Sequence, residues 1–381
     1  MIYFDNNATT QIAPEVFAAM QPFLKEFYGN PSSGYNFGRE SRNAVATSRR
    51  NVADLLGAEF SDEIVFTSGG TESDNWAILG AIEANTHKKH LITTCVEHEA
   101  VRKICEKLES RGFEITRLEV SEDGFLDLDG LKNALREDTA IVSVMLANNE
   151  TGITFPVAEI AEIIKEKSAA LFHVDGVNAA GKISVELKNT AIDLFSISGH
   201  KFYAPKGIGA LYIKRGVTLP ALAVGGGQEN GRRAGTEAIH QIAALGAAAD
   251  FVKDLSAMTK VSDLRDKLEN EILQKIPNSR LNGTSDRRFR LPNTSNISFS
   301  NLNGEAILAR LDDAGICVST GSACNSETHA ASPVLQAMNI PYSDAMGAIR
   351  FSLGRYNEAA EVDFVLEILP KIIEDLRKTT F

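Results

Sequence analysis

The sequence predicts an α/β protein, with a large domain built on a mostly parallel sheet and a smaller α+β domain. Three observations carry this prediction. Short apolar runs alternate with helix-like segments from about residue 60 to 215, and the alternation stops after Thr236. The 381 residues, 44% of them hydrophobic, are enough for two packed cores. We expect the large domain to span 13–256 and the small domain to combine 1–12 with 257–381.

The predicted strands of the large domain are apolar along most of their length, which is typical of strands covered by helices on both faces. They are expected at 63–67, 90–94, 113–120, 139–146, 170–174, 193–198 and 208–213. Helices are expected from 72, from about 97, and over 128–135 and 157–167. Ligands of such sheets bind beyond the carboxyl ends of the strands, so the residues that follow the strands are the candidates for a site.

A long helical stretch over about 237–275 is predicted to connect the large domain to the small one. The remaining elements of the small domain are predicted at 296–299 (strand), 305–311 (helix), 348–353 (strand) and 359–377 (amphipathic helix). This order lacks the regular strand–helix alternation of the first part and indicates an α+β arrangement.

Charge and composition exclude several classes of function. The formal net charge is −11, and an acidic chain repels the phosphates of nucleic acids. No apolar run approaches the ~20 residues that span a bilayer, and the first residues do not resemble a signal peptide. The four cysteines form no CxxC pair or zinc pattern and are interpreted as reduced thiols. We expect a cytoplasmic protein without direct nucleic-acid binding, and we interpret Lys88-Lys89 as solvated loop charge.

Lys201 and Asp175 are the first candidates for chemistry. Lys201 follows the strand at 193–198, where a lysine alone is more often a surface residue of a turn. Asp175 follows the preceding strand, where an acid is often only a helix cap. Together the two suit a pyridoxal phosphate (PLP) site, in which a lysine forms a Schiff base and an acid pairs with the pyridine nitrogen.

Further candidates follow the other strands. Gly69-Gly70-Thr71 precedes a helix and suits an anion such as a phosphate, although glycine pairs are common at such junctions. His98 could stack on a cofactor ring and exchange protons, or could simply be a solvated histidine of a first helical turn. Asn149 lies in a turn over 148–152, where its amide could bond a cofactor oxygen or serve the turn alone.

Cys324 is the candidate nucleophile. It lies in Ser319-Thr320-Gly321-Ser322-Ala323-Cys324-Asn325-Ser326, where no bulky apolar neighbour would bury the thiol. An exposed thiol on a loop of small residues suits nucleophilic chemistry. Cys105 and Cys317 are interpreted as core residues.

Taken together, these motifs resemble the NifS/IscS-type cysteine desulfurases, in the class V aminotransferase group of fold-type I PLP-dependent transferases. The resemblance runs nearly end to end. Its motifs are Tyr3-Phe4-Asp5-Asn6-Asn7-Ala8-Thr9-Thr10, Tyr28-Gly29-Asn30-Pro31-Ser32-Ser33, Gly70-Thr71-Glu72-Ser73-Asp74-Asn75, Glu97-His98, Asn148-Asn149-Glu150-Thr151-Gly152, Ser198-Gly199-His200-Lys201, Ser322-Ala323-Cys324 and Arg350-Phe351-Ser352-Leu353-Gly354-Arg355.

The resemblance implies a transferase that moves sulfur from L-cysteine to an enzyme-bound persulfide and releases L-alanine. Lys201 would hold PLP and move protons, and Cys324 would receive the sulfur. Asp175 would pair with the pyridine nitrogen, and His98 would stack on the ring and act in proton transfer. The cofactor phosphate would contact Gly70, Thr71, Ser198 and His200, and Thr236 would contact the cofactor phosphate bound by the neighbouring subunit. Asn149 would bond the phenolic oxygen of the cofactor. Arg350 and Asn30 would bind the substrate carboxylate.

The resemblance further implies a homodimer that passes sulfur to an iron–sulfur scaffold or another acceptor protein. Two positions depart from the family pattern: Asn178 stands where glutamine is usual, and Gly34-Tyr35 where a histidine is usual. We retain Asn178 as a cofactor-binding candidate, because a shorter amide still approaches the cofactor. The alternatives are a selenocysteine lyase or another class V PLP enzyme, and an inactive sulfur-delivery or scaffold subunit.

Overall fold

The computed structural model describes residues 1–320 and 331–379. The strands in these ranges are β1 (Ile2–Tyr3), β2 (Ile64–Thr67), β3 (His90–Thr94), β4 (Glu114–Leu118), β5 (Thr139–Met145), β6 (Leu171–Asp175), β7 (Leu194–Ser198), β8 (Gly209–Ile213), β9 (Ser279–Leu281), β10 (Thr294–Phe299), β11 (Ile316–Cys317) and β12 (Ala348–Ser352). The helices are α1 (Pro14–Lys25), α2 (Arg39–Leu55), α3 (Gly70–Ala84), α4 (Glu99–Glu109), α5 (Leu128–Ala134), α6 (Val157–Lys167), α7 (Ile239–Lys253), α8 (Ala257–Lys275), α9 (Gly304–Asp313), α10 (Pro333–Ala337), α11 (Tyr342–Ala345) and α12 (Ala359–Thr379).

A seven-stranded sheet with the order β2-β8-β7-β6-β5-β3-β4 organises the larger part of the chain. The strands from β4 to β7 run parallel, whereas β8 is antiparallel to both of its neighbours. The predicted ends of all seven strands lie within two residues of the observed ends. The mostly parallel sheet predicted from the sequence is therefore confirmed.

Helices cover this sheet on both faces, as expected for strands that are apolar along most of their length. On one face, α3 and α4 pack Trp76, Ile78 and Val101 onto strand residues that include Ile141 and Leu194. On the other face, helices that include α2, α6 and α7 pack against the alternate strand residues. The polar positions on the α3 face lie towards the carboxyl ends of the strands, which places them at the site described below.

A second, three-stranded antiparallel sheet has the order β12-β10-β9. Helices α8, α9 and α12 bury it in a separate apolar cluster around Ile297, Phe299 and Phe351. The short strand β1 pairs with β11, and the chain after it crosses to the large sheet, where the Thr10 N–H donates to the His200 carbonyl at 2.8 Å. The division of the chain into a large domain at 13–256 and a small domain of 1–12 with 257–381 stays a prediction.

Two local expectations are wrong. The helical stretch predicted over 237–275 is broken between α7 and α8, because the carboxylate of Asp254 accepts hydrogen bonds from the N–H and hydroxyl of Ser256. Lys88 is buried rather than solvated, and its ammonium donates to the carbonyls of Thr139 and Ala169 at 3.0 and 3.3 Å. No helix within the described ranges is long and apolar enough to cross a membrane.

Candidate active site

A cavity of about 260 Å³ opens beyond the carboxyl ends of the parallel strands. Nine of the residues predicted for a site line it: Gly70, Thr71, His98, Asn149, Asp175, Asn178, Ser198, His200 and Lys201. They come from different strand–helix junctions, and the parallel sheet brings them together because its carboxyl ends share one edge. Asp74, Met145, Ala147 and Val177 complete the lining.

The amino terminus of α3 forms one wall of the cavity. The helix begins at Gly70, and a Cβ on that residue would lie 2.6 Å from a methyl carbon of Val177. The first N–H groups of a helix lack partners within the helix and favour an anion. The backbone at Gly70, with the hydroxyls of Thr71 and Ser198 beside it, is therefore suited to a phosphate group.

Lys201 lies in a single turn directly after β7, and its ammonium is held by the amino-terminal segment. The Nζ atom donates to the carbonyls of Asn7 and Ala8 at 2.5 and 3.0 Å. The neighbouring His200 contacts the hydroxyl of Thr9 through Nδ1 at 3.2 Å. Burial, with the nearby positive charges, lowers the pKa of His200 to about 4, so its ring is neutral near pH 7.

Asp175 and His98 each cap a local structure and line the cavity at the same time. Asp175 is the last residue of β6, and its Oδ1 accepts the N–H of Val177 at 2.9 Å. His98 precedes α4, and its Nδ1 accepts the N–H of Ala100 at 3.2 Å. Burial raises the pKa of Asp175, and the nearby carboxyl of Asp74 raises it further. Both residues therefore cap a local structure, and their cavity position leaves the functional roles predicted for them as predictions.

Asn178 presents a polar atom that nothing in the described protein satisfies. Its Nδ2 is buried and has no hydrogen-bond partner, while its carbonyl and Oδ1 accept from Lys182 Nζ at 2.8 and 3.4 Å. Unsatisfied buried donors are rare in proteins and often mark a ligand contact. Asn148 stabilises the turn that carries Asn149. Its side chain donates to the Val96 carbonyl and accepts the N–H groups of Glu150 and Thr151.

Three predicted residues lie outside the cavity lining. Arg350 is buried and donates to the Asp5 carboxylate at 2.7 Å and to the Asn149 carbonyl at 3.0 Å. Asn30 is exposed and accepts the N–H of Ser32 at 2.9 Å. Thr236 is exposed on the loop before α7. Cys324 lies outside the described residues.

Four buried residues near the cavity were not singled out from the sequence: Asp74, Glu97, His173 and Lys182. Burial, with the charges of Lys201 and Arg350, lowers the pKa of Lys182 to about 7. Asp74 and Glu97 stand inside two of the motifs quoted above, and Asp74 follows Gly70 by about one helical turn. That spacing was the available signal for an inward-facing side chain. Among the described residues, no group of three or more His, Cys, Asp or Glu side chains is arranged to hold a metal ion.

Comparisons with known proteins agree along nearly the whole chain. The family model described as Aminotransferase class-V matches residues 2–365. A cysteine desulfurase of Trichormus azollae is 52% identical over 99% of this chain and 94% of its own length. The cysteine desulfurase NifS of Azotobacter vinelandii is 47% identical over 100% of this chain and 94% of its own. A solved structure of a NifS-like protein has a TM-score of 0.92 at 37% identity, covering 98% of this chain and 100% of that one.

Proposed function

This chain belongs to the cysteine desulfurases of the class-V aminotransferase family, and from that membership we propose how its residues take sulfur from L-cysteine. In the overall reaction, L-cysteine gives its sulfur to a thiol of the enzyme and leaves as L-alanine. One observation carries the proposal for the site: Lys201 and Asp175 line the same cavity, one after β7 and the other at the end of the adjacent strand β6.

Enzymes of this family use PLP, and the cavity residues fit that cofactor. The close contact at Gly70 leaves room for a backbone cradle but not for a side chain, which suits the phosphate. The unsatisfied Nδ2 of Asn178 offers a donor to the polar edge of the ring. PLP supplies an aldehyde that links to an amine and a ring that withdraws electrons from the bonds of the attached carbon.

The cavity residues divide the work of holding the cofactor. Lys201 would be the amine that holds it, for which its ammonium would have to leave the carbonyls of Asn7 and Ala8 and lose a proton. Asp175 would accept a hydrogen bond from the protonated ring nitrogen, and His98 would pack against the ring. Gly70, Thr71, Ser198 and His200 would hold the phosphate, and Asn149 and Asn178 the ring oxygen. Lys201 would also be the base that takes the proton from the substrate α-carbon.

Arg350 is the proposed clamp for the substrate carboxylate, with Asn30 beside it. Its guanidinium binds the carboxylate of Asp5, and this pairing supports the proposal that a carboxylate of the substrate can bind there. Exchange of Asp5 for the substrate would preserve the charge pairing, and a planar guanidinium can bind a carboxylate through two parallel hydrogen bonds. The backbone of Arg350 also pairs with Ser319, five residues before Cys324.

Cys324 is the proposed sulfur acceptor, and this proposal rests on its sequence motif. Its thiolate attacks the substrate sulfur, so that an S–S bond forms while the substrate Cβ–S bond breaks. The electron pair of the broken bond stays with carbon, and protonation there completes L-alanine. A second thiol can then take the sulfur from the persulfide, which makes the chain a donor for iron–sulfur cluster assembly or another thiolation.

We further propose a cytoplasmic homodimer of the two predicted domains, in which Thr236 serves the phosphate of the neighbouring subunit. Its exposure on the loop before α7, away from the cavity of its own chain, supports this placement. The sulfur acceptor is then an iron–sulfur scaffold or another acceptor protein that docks on the dimer.

Incubation of the PLP-loaded protein with L-cysteine and a thiol reductant tests the function. We expect sulfide and alanine in equal amounts, and we expect Cys324→Ser to lose sulfide release while it still binds the cofactor. Cys95→Ser, at a half-buried cysteine of the large sheet region, is the matched control and should retain activity. Full sulfide release by Cys324→Ser, or turnover of L-selenocysteine alone, would contradict the proposal.

A further inference from the structure

Three buried carboxylates lie at and behind the floor of the cavity. Asp175 and Asp74 line the cavity directly, and Glu97 lies behind them, where its Oε1 accepts the N–H of Met145 at 3.0 Å. Asp74 is 1% exposed, Asp175 5% and Glu97 6%. The side chains come from α3, from the end of β6 and from the loop before α4, so the fold itself brings them together.

No cation neutralises Asp74 or Glu97 within the described ranges of the chain. The basic group in contact with Asp74 is His173, whose Nε2 lies 3.5 Å from Oδ1. Glu97 is bonded to the hydroxyl of Thr94 at 2.8 Å and to one backbone N–H. Each acid also has one buried oxygen without a hydrogen-bond partner, Oδ1 of Asp74 and Oε2 of Glu97.

His173 does not supply the missing charge, although its distance to Asp74 is that of an ion pair. Its ring is fully buried between the hydroxyls of Ser143 and Ser196, at 2.8 and 2.9 Å. Burial lowers the pKa of His173 to about 4, so the imidazole is neutral near pH 7. The contact between Asp74 and His173 therefore joins two polar groups, and Ser196 hydrogen-bonds to Asp74 in the same buried chain.

Three adjacent carboxylates cannot all be charged in such a place. An ionised carboxylate taken out of water needs a cation or several donors, and a second charge beside it adds repulsion. Burial raises the pKa of Asp74 to about 7 and that of Glu97 to about 8. The groups that face them are His98 from the edge of α4, which favours the charged form of Asp74, and Asp175 and Asp74 themselves, which disfavour the charged form of Glu97.

We propose that Asp74 and Glu97 are positioning residues that keep their protons up to neutral pH, so that the negative charge of this cluster resides on Asp175. Asp175 then differs from its neighbours because it accepts the Val177 N–H and would pair with the ring nitrogen. This role for Asp175 rests on the proposed function. Neutral Asp74 and Glu97 keep a single charge aimed at the cofactor, while the Ser196–His173–Ser143 chain fixes the position of Asp74.

Infrared difference spectroscopy on the cofactor-free protein tests the protonation directly. A carboxylic acid has a carbonyl stretch that disappears when the acid ionises. Between pH 6 and pH 9 we expect the wild type to lose two such bands beyond any from Asp175. Asp74→Asn should lack one of them and Glu97→Gln the other, whereas Asp123→Asn, at an exposed carboxylate, should match the wild type. Identical difference spectra in wild type and Asp74→Asn would overturn the proposal.

A second readout follows from linkage. The pKa of Asp74 is raised on folding, so the folded state holds the proton longer than the unfolded state, and stability falls as pH rises from about 4 to about 7. Asp74→Asn lacks this loss, so its stability relative to wild type should increase across that window. A difference that stays constant with pH would contradict the proposal.

If Asp74→Asn does not fold, nuclear magnetic resonance of the wild type with carbon-13-labelled aspartate measures the protonation of Asp74 instead. One aspartate carboxyl resonance should then titrate near pH 7, and its absence would count against the proposal.

Cofactor binding followed by absorbance is measured separately. A protein that shows the two acid bands but binds no PLP would refute the proposed function and leave the protonation of Asp74 and Glu97 in place.

Discussion

Two regions of the molecule bury carboxylates, and they treat them in opposite ways. Beside the small sheet, Glu269 is 3% exposed and accepts two hydrogen bonds from Arg290, at 3.0 and 2.7 Å, and one from Ser295 at 2.7 Å. At the cavity, Asp74 and Glu97 are buried to a similar degree without a cation. Burial alone therefore does not distinguish the two regions, but pairing does.

The difference separates a carboxylate that supports the architecture from carboxylates that serve a site. The Glu269 carboxylate accepts three hydrogen bonds, so the pair offsets much of its desolvation cost, and it joins helix α8 to the segment before β10. A buried acid without a partner is unfavourable for the fold, and such groups concentrate where chemistry needs a shifted pKa. The comparison predicts that substitutions at the cavity change activity first, whereas substitutions at Glu269 and Arg290 change stability first.

The largest effect is expected from Lys201→Ala. Removal of the amine that holds the cofactor and moves the substrate proton should lower kcat by about 10³-fold or more. The absorption band of the lysine-bound cofactor should disappear, while the unfolding midpoint changes little. Lys206→Ala, an exposed lysine of the same loop, is the control and should keep both activity and the band. Retained turnover in Lys201→Ala would contradict the claim that the cavity residues carry the chemistry.

Arg290→Met tests the claim that the buried pair of Glu269 and Arg290 supports the stability of the fold. Glu269 would be left buried without its partner, and we expect the free energy of unfolding to fall by about 3–5 kcal/mol. Denaturant unfolding measures this loss, and the double variant Arg290→Met, Glu269→Met should recover most of it. Arg287→Met, in an exposed ion pair nearby, should cost no more than about 1 kcal/mol. An equal cost for both single variants would mean that burial of the pair adds nothing.

The sequence was most informative where a pattern is local. The short runs of β-branched and apolar residues in β3 and β5 predict their strands closely, because strands buried on both faces favour such side chains along most of their length. The residues at the ends of β6 and β7 could then be placed together, because parallel strands share one carboxyl edge. The turn formed by Asp254 and Ser256 was also local, and its Asp-x-Ser pattern could have revealed the break between α7 and α8.

The rest depends on contacts between residues far apart in the chain. Lys201 is held by carbonyls nearly two hundred positions away, and no periodicity signals such a contact. The sequence alone suggests that Lys88 is a solvated loop residue, because the two carbonyls that accept hydrogen bonds from its ammonium lie in distant segments. The pairing of Arg350 with Asp5 has the same cause, since the residues directly after β1 meet β12 only in the folded chain.

Lys182 extends the comparison to a buried cation. Its pKa is lowered to about 7 by burial and by the charges of Lys201 and Arg350, so the folded state binds fewer protons than the unfolded state between about pH 7 and 10.5. Wild-type stability should therefore gain from this group as pH rises through that window. Lys182→Met removes the titration, so its stability relative to wild type should be highest below pH 7 and should fall by a few kcal/mol towards pH 10.5.

Any hydrogen bonds lost with Lys182 add a constant that does not depend on pH, so the slope is the measure. Thermal unfolding of the cofactor-free protein across this pH range gives it, and Lys206→Met is the exposed control. A flat difference for Lys182→Met would show that its ammonium keeps its ordinary pKa. Lys182 would then group with Glu269 as a satisfied structural charge.

The smallest effect is expected at Asn178, where the unsatisfied atom is a donor rather than an acid. Asn178→Ala removes the buried Nδ2 donor that we assign to the ring oxygen of the cofactor. One hydrogen bond contributes about 1 kcal/mol, and we expect PLP to bind the apoprotein about threefold to tenfold more weakly. Absorbance titration measures this, with Asn189→Ala as the exposed control. Unchanged binding by Asn178→Ala would mean that this amide does not contact the cofactor.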